Sequence, residues 1–142
     1  MGSTLATLVV RGDRAIVGHV GDSRVYRLRG GALEQLTRDH SLYAEMLAQG
    51  AELPPKDRCP FAHVITRALG MSDESGPDLS TTALRRGDVF LLCTDGLSEP
   101  LPETRIAELL ALPPEAACEA MVREAYDAGG KDNITAVVVR AA

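Results

Sequence analysis

The chain has 142 residues, 45% hydrophobic and 25% charged, with a formal net charge of −5. That length supports one domain with its own core, taken as 1–142, and not two ordinary ones. The acidic balance, with no basic cluster longer than Arg85-Arg86, argues against a nucleic-acid partner.

No apolar run approaches the ~18 residues of a membrane span, and Met1-Gly2-Ser3-Thr4 lacks a signal-peptide pattern. A cytoplasmic protein is the expectation. Three cysteines without CxxC spacing suggest neither a disulfide framework nor a zinc site, and Cys93 and Cys118 read as small core residues.

In chain order, 3–10 and 14–20 are β-rich runs parted by the turn Arg11-Gly12-Asp13. Gly21-Asp22-Ser23-Arg24 interrupts, and 25–29 and 32–36 form a second pair around Gly30-Gly31. Strands in succession predict a meander of antiparallel sheet. Thr37 to Ser41 offers N-caps for a short amphipathic helix that carries Leu42, Tyr43, Met46 and Leu47 on one face and stops at Gly50. Residues 51–62 hold three prolines and no period, which reads as a surface loop and candidate flap. A short strand is expected over 64–69, a polar connection over 71–76, and a weakly alternating stretch over 77–84.

Residues 89–96, VFLLCTDG, read as a fully buried strand that surfaces at Asp95, where Gly96 lets the backbone turn sharply. Helical spacing follows over 102–110 and, after Pro113-Pro114, over 115–126, closing at Gly129-Gly130. A last buried strand is expected over 134–139. Asp132 opens that strand as Asp95 ends the other, so antiparallel pairing of the two brings both carboxylates to one sheet edge.

Asp22, Asp95 and Asp132 each lie at a strand terminus beside a glycine or asparagine. Either they are turn residues and caps, or they converge and require a compensating cation, for which oxygen-only ligands favour Mg²⁺ or Mn²⁺. Other catalytic patterns fail. Cys93 has Glu99, not arginine, six places on; GxSxG and HExxH are absent; Gly129-Gly130-Lys131 does not form a P-loop. The histidines His19, His40 and His63 are scattered.

Six motifs occur in a telling order: Gly2-Ser3-Thr4-Leu5, His19-Val20-Gly21-Asp22-Ser23-Arg24, Leu36-Thr37-Arg38-Asp39-His40-Ser41, Ile65-Thr66-Arg67-Ala68-Leu69-Gly70, Leu91-Leu92-Cys93-Thr94-Asp95-Gly96-Leu97 and Gly130-Lys131-Asp132-Asn133-Ile134-Thr135. In this the chain resembles the bacterial metal-dependent serine/threonine protein phosphatases of type 2C (PPM). The resemblance implies an α+β fold, an antiparallel β-sandwich with flanking helices, and a binuclear Mn²⁺ or Mg²⁺ centre at one end. It makes Asp95 and Asp132 ligands of that centre, Asp22 with Asp95 the holders of a weaker third ion, Asn133 and Gly96 supporting residues, and 51–62 the family's mobile flap.

The implied reaction is dephosphorylation of phosphoserine and phosphothreonine in proteins by a metal-activated water, on substrates of a Ser/Thr kinase. The family pattern also has an earlier phosphate-gripping arginine, a metal-bridging Asp-Gly and two long helices, none of which matches this chain. The expectation is therefore an N-terminally shortened domain carrying part of the site. It self-associates through the sheet those helices would cover, and its alternative role is that of a non-catalytic binding or regulatory module.

Overall fold

The structure, a computed structural model, describes residues 1–71 and 76–142. β1 (Leu5–Arg11) and β2 (Arg14–Val20) form an antiparallel hairpin in register from Leu5↔Val20 to Arg11↔Arg14. β3 (Arg24–Arg29) and β4 (Ala32–Gln35) form a second. The strands are antiparallel as expected, yet they do not run on as one meander. The other edge of β2 pairs with β5 (Asp78–Ala83), so the chain leaves the first sheet at Gly21–Ser23 and begins another. That second sheet gains β6 (Val89–Cys93) and β7 (Ala136–Arg140), giving the orders β1-β2-β5 and β4-β3-β6-β7.

Residues 64–69 make isolated bridges instead of the expected strand, Ser41↔Ile65 and Ser3↔Leu69. Their backbone is used elsewhere: Leu42 N–H donates to Val64 O at 2.9 Å and Thr66 N–H to His40 O at 2.9 Å, tying the segment to the start of α1 (Leu42–Ala48). Ser41 caps that helix, its Oγ accepting from Ala44 N–H at 3.2 Å. The connection expected over 71–76 lies, but for its two ends, outside the described residues.

The loop over 51–62 contains one 3₁₀ turn, Lys56–Arg58, and is anchored by buried Cys59 and Ala62. After β6 come α2 (Asp95–Ser98), α3 (Glu103–Leu110) and α4 (Pro114–Asp127). Pro114 opens α4, where its missing N–H costs nothing.

Alternation along the second sheet divides its side chains between two layers. Tyr26, Leu28, Val89, Leu91 and Cys93 pack against Ile106, Leu110, Ala117, Met121 and Ala125 of α3 and α4. Each large side chain buried there contributes roughly 1.5–3 kcal/mol. Val25 and Phe90 take the opposite face and are buried, as are Ala15 and Val17 of the first sheet, while Arg27 Nη1 spans the two sheets to Thr82 Oγ1 at 2.7 Å.

At the end where β5 turns into β6, buried Asp88 receives Arg29 Nε and Nη2, each at 2.7 Å, and Arg85 N–H at 2.8 Å. The outer face of the first sheet has no such partner layer among the described residues. Leu5, Val9 and Leu79 share that face by register and are 40%, 53% and 73% exposed. Cys118 is half-buried, not fully in the core, and Val137 of β7 is 50% exposed. No described helix is long and apolar enough to cross a membrane.

Candidate metal centre

Three strand ends meet at one end of the sandwich. The β6–β7 register pairs Cys93 with Ala136, placing Asp95 just past one strand and Asp132 just before the other. The β3–β6 register pairs Arg24 with Cys93, which brings Asp22 to the same end. Thr94 staples the corner: its N–H donates to Thr135 O at 3.2 Å, and its Oγ1 donates to Asn133 O at 3.2 Å and accepts from Thr135 N–H at 3.1 Å.

Gly96 does not make the sharp turn expected of it. Asp95 opens α2 instead, and Gly96 lies within that helix with no positive φ. A Cβ at position 96 would overlap the carbonyl oxygen of Asn133, so the missing side chain lets the Asp132–Asn133 backbone come against α2. Asn133 N–H donates to Asp132 Oδ1 at 2.7 Å. What Asn133 gives the site here is backbone.

Asp22 is buried and Asp95 half-buried, while Asp132 is exposed at the rim. Burial, then the charges of Asp22, Asp132 and Glu99, push the Asp95 carboxyl up to about 6. Asp22 is raised too, by burial first and then by Asp39, with Lys56 among the groups opposing the rise. Crowded carboxylates stay ionised only with a nearby cation. The donor set is oxygen and opens to solvent on the Asp132 side, which fits Mg²⁺ or Mn²⁺ better than a soft metal.

The surroundings add two residues that the sequence reading left out of the candidate ligands, His63 and Glu99. His63, Asp95 and Glu99 each offer a ligand atom within 4.8 Å of the others. Glu99 Oε1 is 2.8 Å from Lys56 Nζ and 3.3 Å from His63 Nδ1, so the loop over 51–62 is held against the site. The usable signal was the i,i+4 spacing of Asp95 and Glu99, hidden because Asp95-Gly96 reads as a turn. A cavity of about 440 Å³ opens here, lined among others by Arg24, Lys56, His63, Lys131 and Asp132.

The cysteine nearby is inert, since burial pushes the Cys93 thiol up to about 12. Arg24 is already committed: its Nε and Nη2 donate to Asp39 at 2.8 and 2.7 Å, and its Nη1 to Tyr26 Oη at 2.8 Å.

Residues 1–136 match the family model described as protein phosphatase 2C. The chain belongs to that family. It is 39% identical to protein phosphatase PhpP of Streptococcus pneumoniae over 142 residues, covering 98% of the chain and 58% of PhpP. Among solved structures, PppA, a key regulatory component of T6SS in Pseudomonas aeruginosa, superimposes with a TM-score of 0.90 at 40% identity, over 100% of this chain and 59% of that one. The catalytic domain of the serine threonine protein phosphatase PstP, in complex with 2 manganese ions, gives 0.85 at 38% identity, over 96% and 57%. The chain thus spans less than two thirds of each of these relatives.

Proposed function

We propose that the chain contributes a divalent-metal centre to the dephosphorylation of phosphoserine and phosphothreonine in proteins, with Asp22, Asp95 and Asp132 as the metal-holding carboxylates. One observation carries this reading: the strand registers bring Asp22, Asp95 and Asp132 to one end of the sandwich, where burial first, and then the charges of Asp22, Asp132 and Glu99, push the Asp95 carboxyl up to about 6. Manganese in the PstP structure supports Mn²⁺ as the ion to try first, with Mg²⁺ as the alternative.

Such ions, when bound, supply Lewis acidity that lowers the pKa of a water and neutralises charge on a phosphoryl group. The chain's own residues do the rest. Asp95 is shared between neighbours on both sides, Asp132 closes the rim, and Lys131 presents an ammonium to an anionic substrate entering the cavity.

A second reading, phosphoprotein binding without turnover, is favoured by Arg24, whose guanidinium faces Asp39 and is not available as a bidentate phosphate clamp. The exposed row Leu5, Val9 and Leu79 supports association of the isolated chain with a second copy.

Calorimetric titration with Mn²⁺ tests the centre. Binding to the parent that disappears in Asp95→Ala is expected, and equal affinity in the two sinks the metal reading. Hydrolysis of a phosphothreonine peptide in the same buffer separates the two roles: metal-dependent turnover supports the enzyme, and peptide binding without phosphate release supports the module.

A further inference from the structure

His19 and His40 are both 3% exposed and stack with ring centroids 4.4 Å apart. With Asp78 they form a group of nitrogen and carboxylate donors within 4.8 Å of one another, the kind of set that could hold a transition metal. The hydrogen bonds argue otherwise. Gly21 N–H can only donate, and it points at His40 Nδ1 from 3.1 Å. His40 Nδ1 therefore carries the lone pair and Nε2 the proton, which goes to Asp78 Oδ2 at 2.8 Å. His19 Nε2 faces the carbonyl of Arg38 at 2.7 Å and must donate to it. A metal at His40 would have to displace either the proton that Nε2 shares with Asp78 or the Gly21 N–H at Nδ1.

The tautomer serves a different purpose. Gly21 is held from both sides by one residue: its N–H donates to the His40 ring, and its carbonyl accepts from His40 N–H at 2.9 Å. Gly21 sits at φ 105°, and a Cβ there would overlap Thr4. It is the residue immediately before Asp22. We propose that His40 is a positioning residue for Asp22: its Nε2–H tautomer, fixed by Asp78, clamps the Gly21 peptide so that the Asp22 carboxyl is presented to Asp95.

Asp78 lies across from His19 in the β2–β5 register, and its other oxygen accepts from Arg67 Nη1 at 3.1 Å. The orientation of a metal-site carboxylate is thus set from the first sheet, through Arg67, Asp78, His40 and Gly21. This inference rests on the reading of Asp22 as a metal ligand. It assigns to His40 the part that hydrogen-bonded partners behind a ligand play elsewhere, where their loss costs about 10–100-fold in metal affinity.

Two substitutions separate positioning from packing. His40→Phe keeps the ring volume and removes the acceptor, whereas His40→Asn loses the ring and returns an oxygen near the Nδ1 position. In Mn²⁺ titrations of the full chain, the binding component that Asp22→Ala removes should weaken about 10-fold or more in His40→Phe. His40→Asn should recover most of it, and the component that Asp132→Ala removes should persist in both. An unchanged Asp22-dependent component in His40→Phe, or a loss in His40→Asn as large as in His40→Phe, overturns the proposal. An Asp22→Ala protein that binds Mn²⁺ as the parent does refutes instead the underlying assignment of Asp22.

The parent alone provides a check that needs no variant to fold. Long-range ¹H–¹⁵N correlation of the imidazoles should show His40 protonated at Nε2 and bare at Nδ1, and a proton on Nδ1 contradicts the clamp.

Discussion

The two sheets are close in size and opposite in circumstance. β4-β3-β6-β7 is covered by α3 and α4, and its inner positions Tyr26 and Leu91 are fully buried. β1-β2-β5 buries one face and leaves Leu5, Val9 and Leu79 on the other open to solvent. The apolar cluster with α3 and α4 therefore lies on the covered sheet. On the proposed reading, the open sheet supplies Asp78, the partner of His40, and the approach to Asp22, while Asp95 and Asp132 flank strands of the covered one. Cooperative folding and metal-site order can be perturbed separately to the extent that this division holds.

The largest effect should come from the covered side. Met121→Ala removes a fully buried side chain between α4 and the sheet and should cost about 2–5 kcal/mol, read as a lower urea midpoint at unchanged slope. A loss no greater than that of a surface change would break the comparison.

Next comes the far end of the sandwich. Hydrogen bonds from Arg29 hold the Asp88 carboxyl below the usual carboxylate range. Because the folded pKa is the depressed one, the pair's stabilisation is complete above the unfolded value of about 4, declines as pH drops below it, and is lost as pH falls through the lower folded pKa. Asp88→Asn should cost about 1–3 kcal/mol at neutral pH. Its melting curve should converge on the parent's as the pH is taken below about 4. A gap that widens on acidification would reverse the assignment.

The smallest stability effect belongs to the open face. Val9→Thr and Leu79→Thr should each move folding by no more than about 0.5 kcal/mol, yet lower the mass seen by light scattering if that face joins copies. Destabilisation as large as in Met121→Ala would mean that the open sheet shares the main core after all.

Much of this arrangement could be read from the residues. The apolar run ending in Asp95 and the polar corner before 134–139 pointed to two strands whose pairing carries both aspartates to one end, and Cys93↔Ala136 does so. The capping of α1 by Ser41 was likewise legible, because a cap is local chemistry. The division into two sheets was not, since it depends on β2 choosing β5 across a long loop, as in His19↔Asp78.

Glu99 was missed because a helix of one turn has no period to betray it. His40 looked like a flanking residue of a cap. Its ring meets Gly21, 19 positions earlier, through a hydrogen bond that no spacing rule reports.

The contact between Gly96 and the Asn133 carbonyl bears on how the site tolerates mutation. A carboxylate at position 95 can be exchanged in steps, since glutamate keeps the charge and asparagine keeps the shape. No such ladder exists at position 96, where every other amino acid brings a Cβ into the space that the carbonyl oxygen fills. In a saturation library the substitutions at Asp95 should spread over a range of fitness, while those at Gly96 collapse to one low value whatever the side chain. The least replaceable position at this end of the molecule would then be one that offers no side-chain ligand at all.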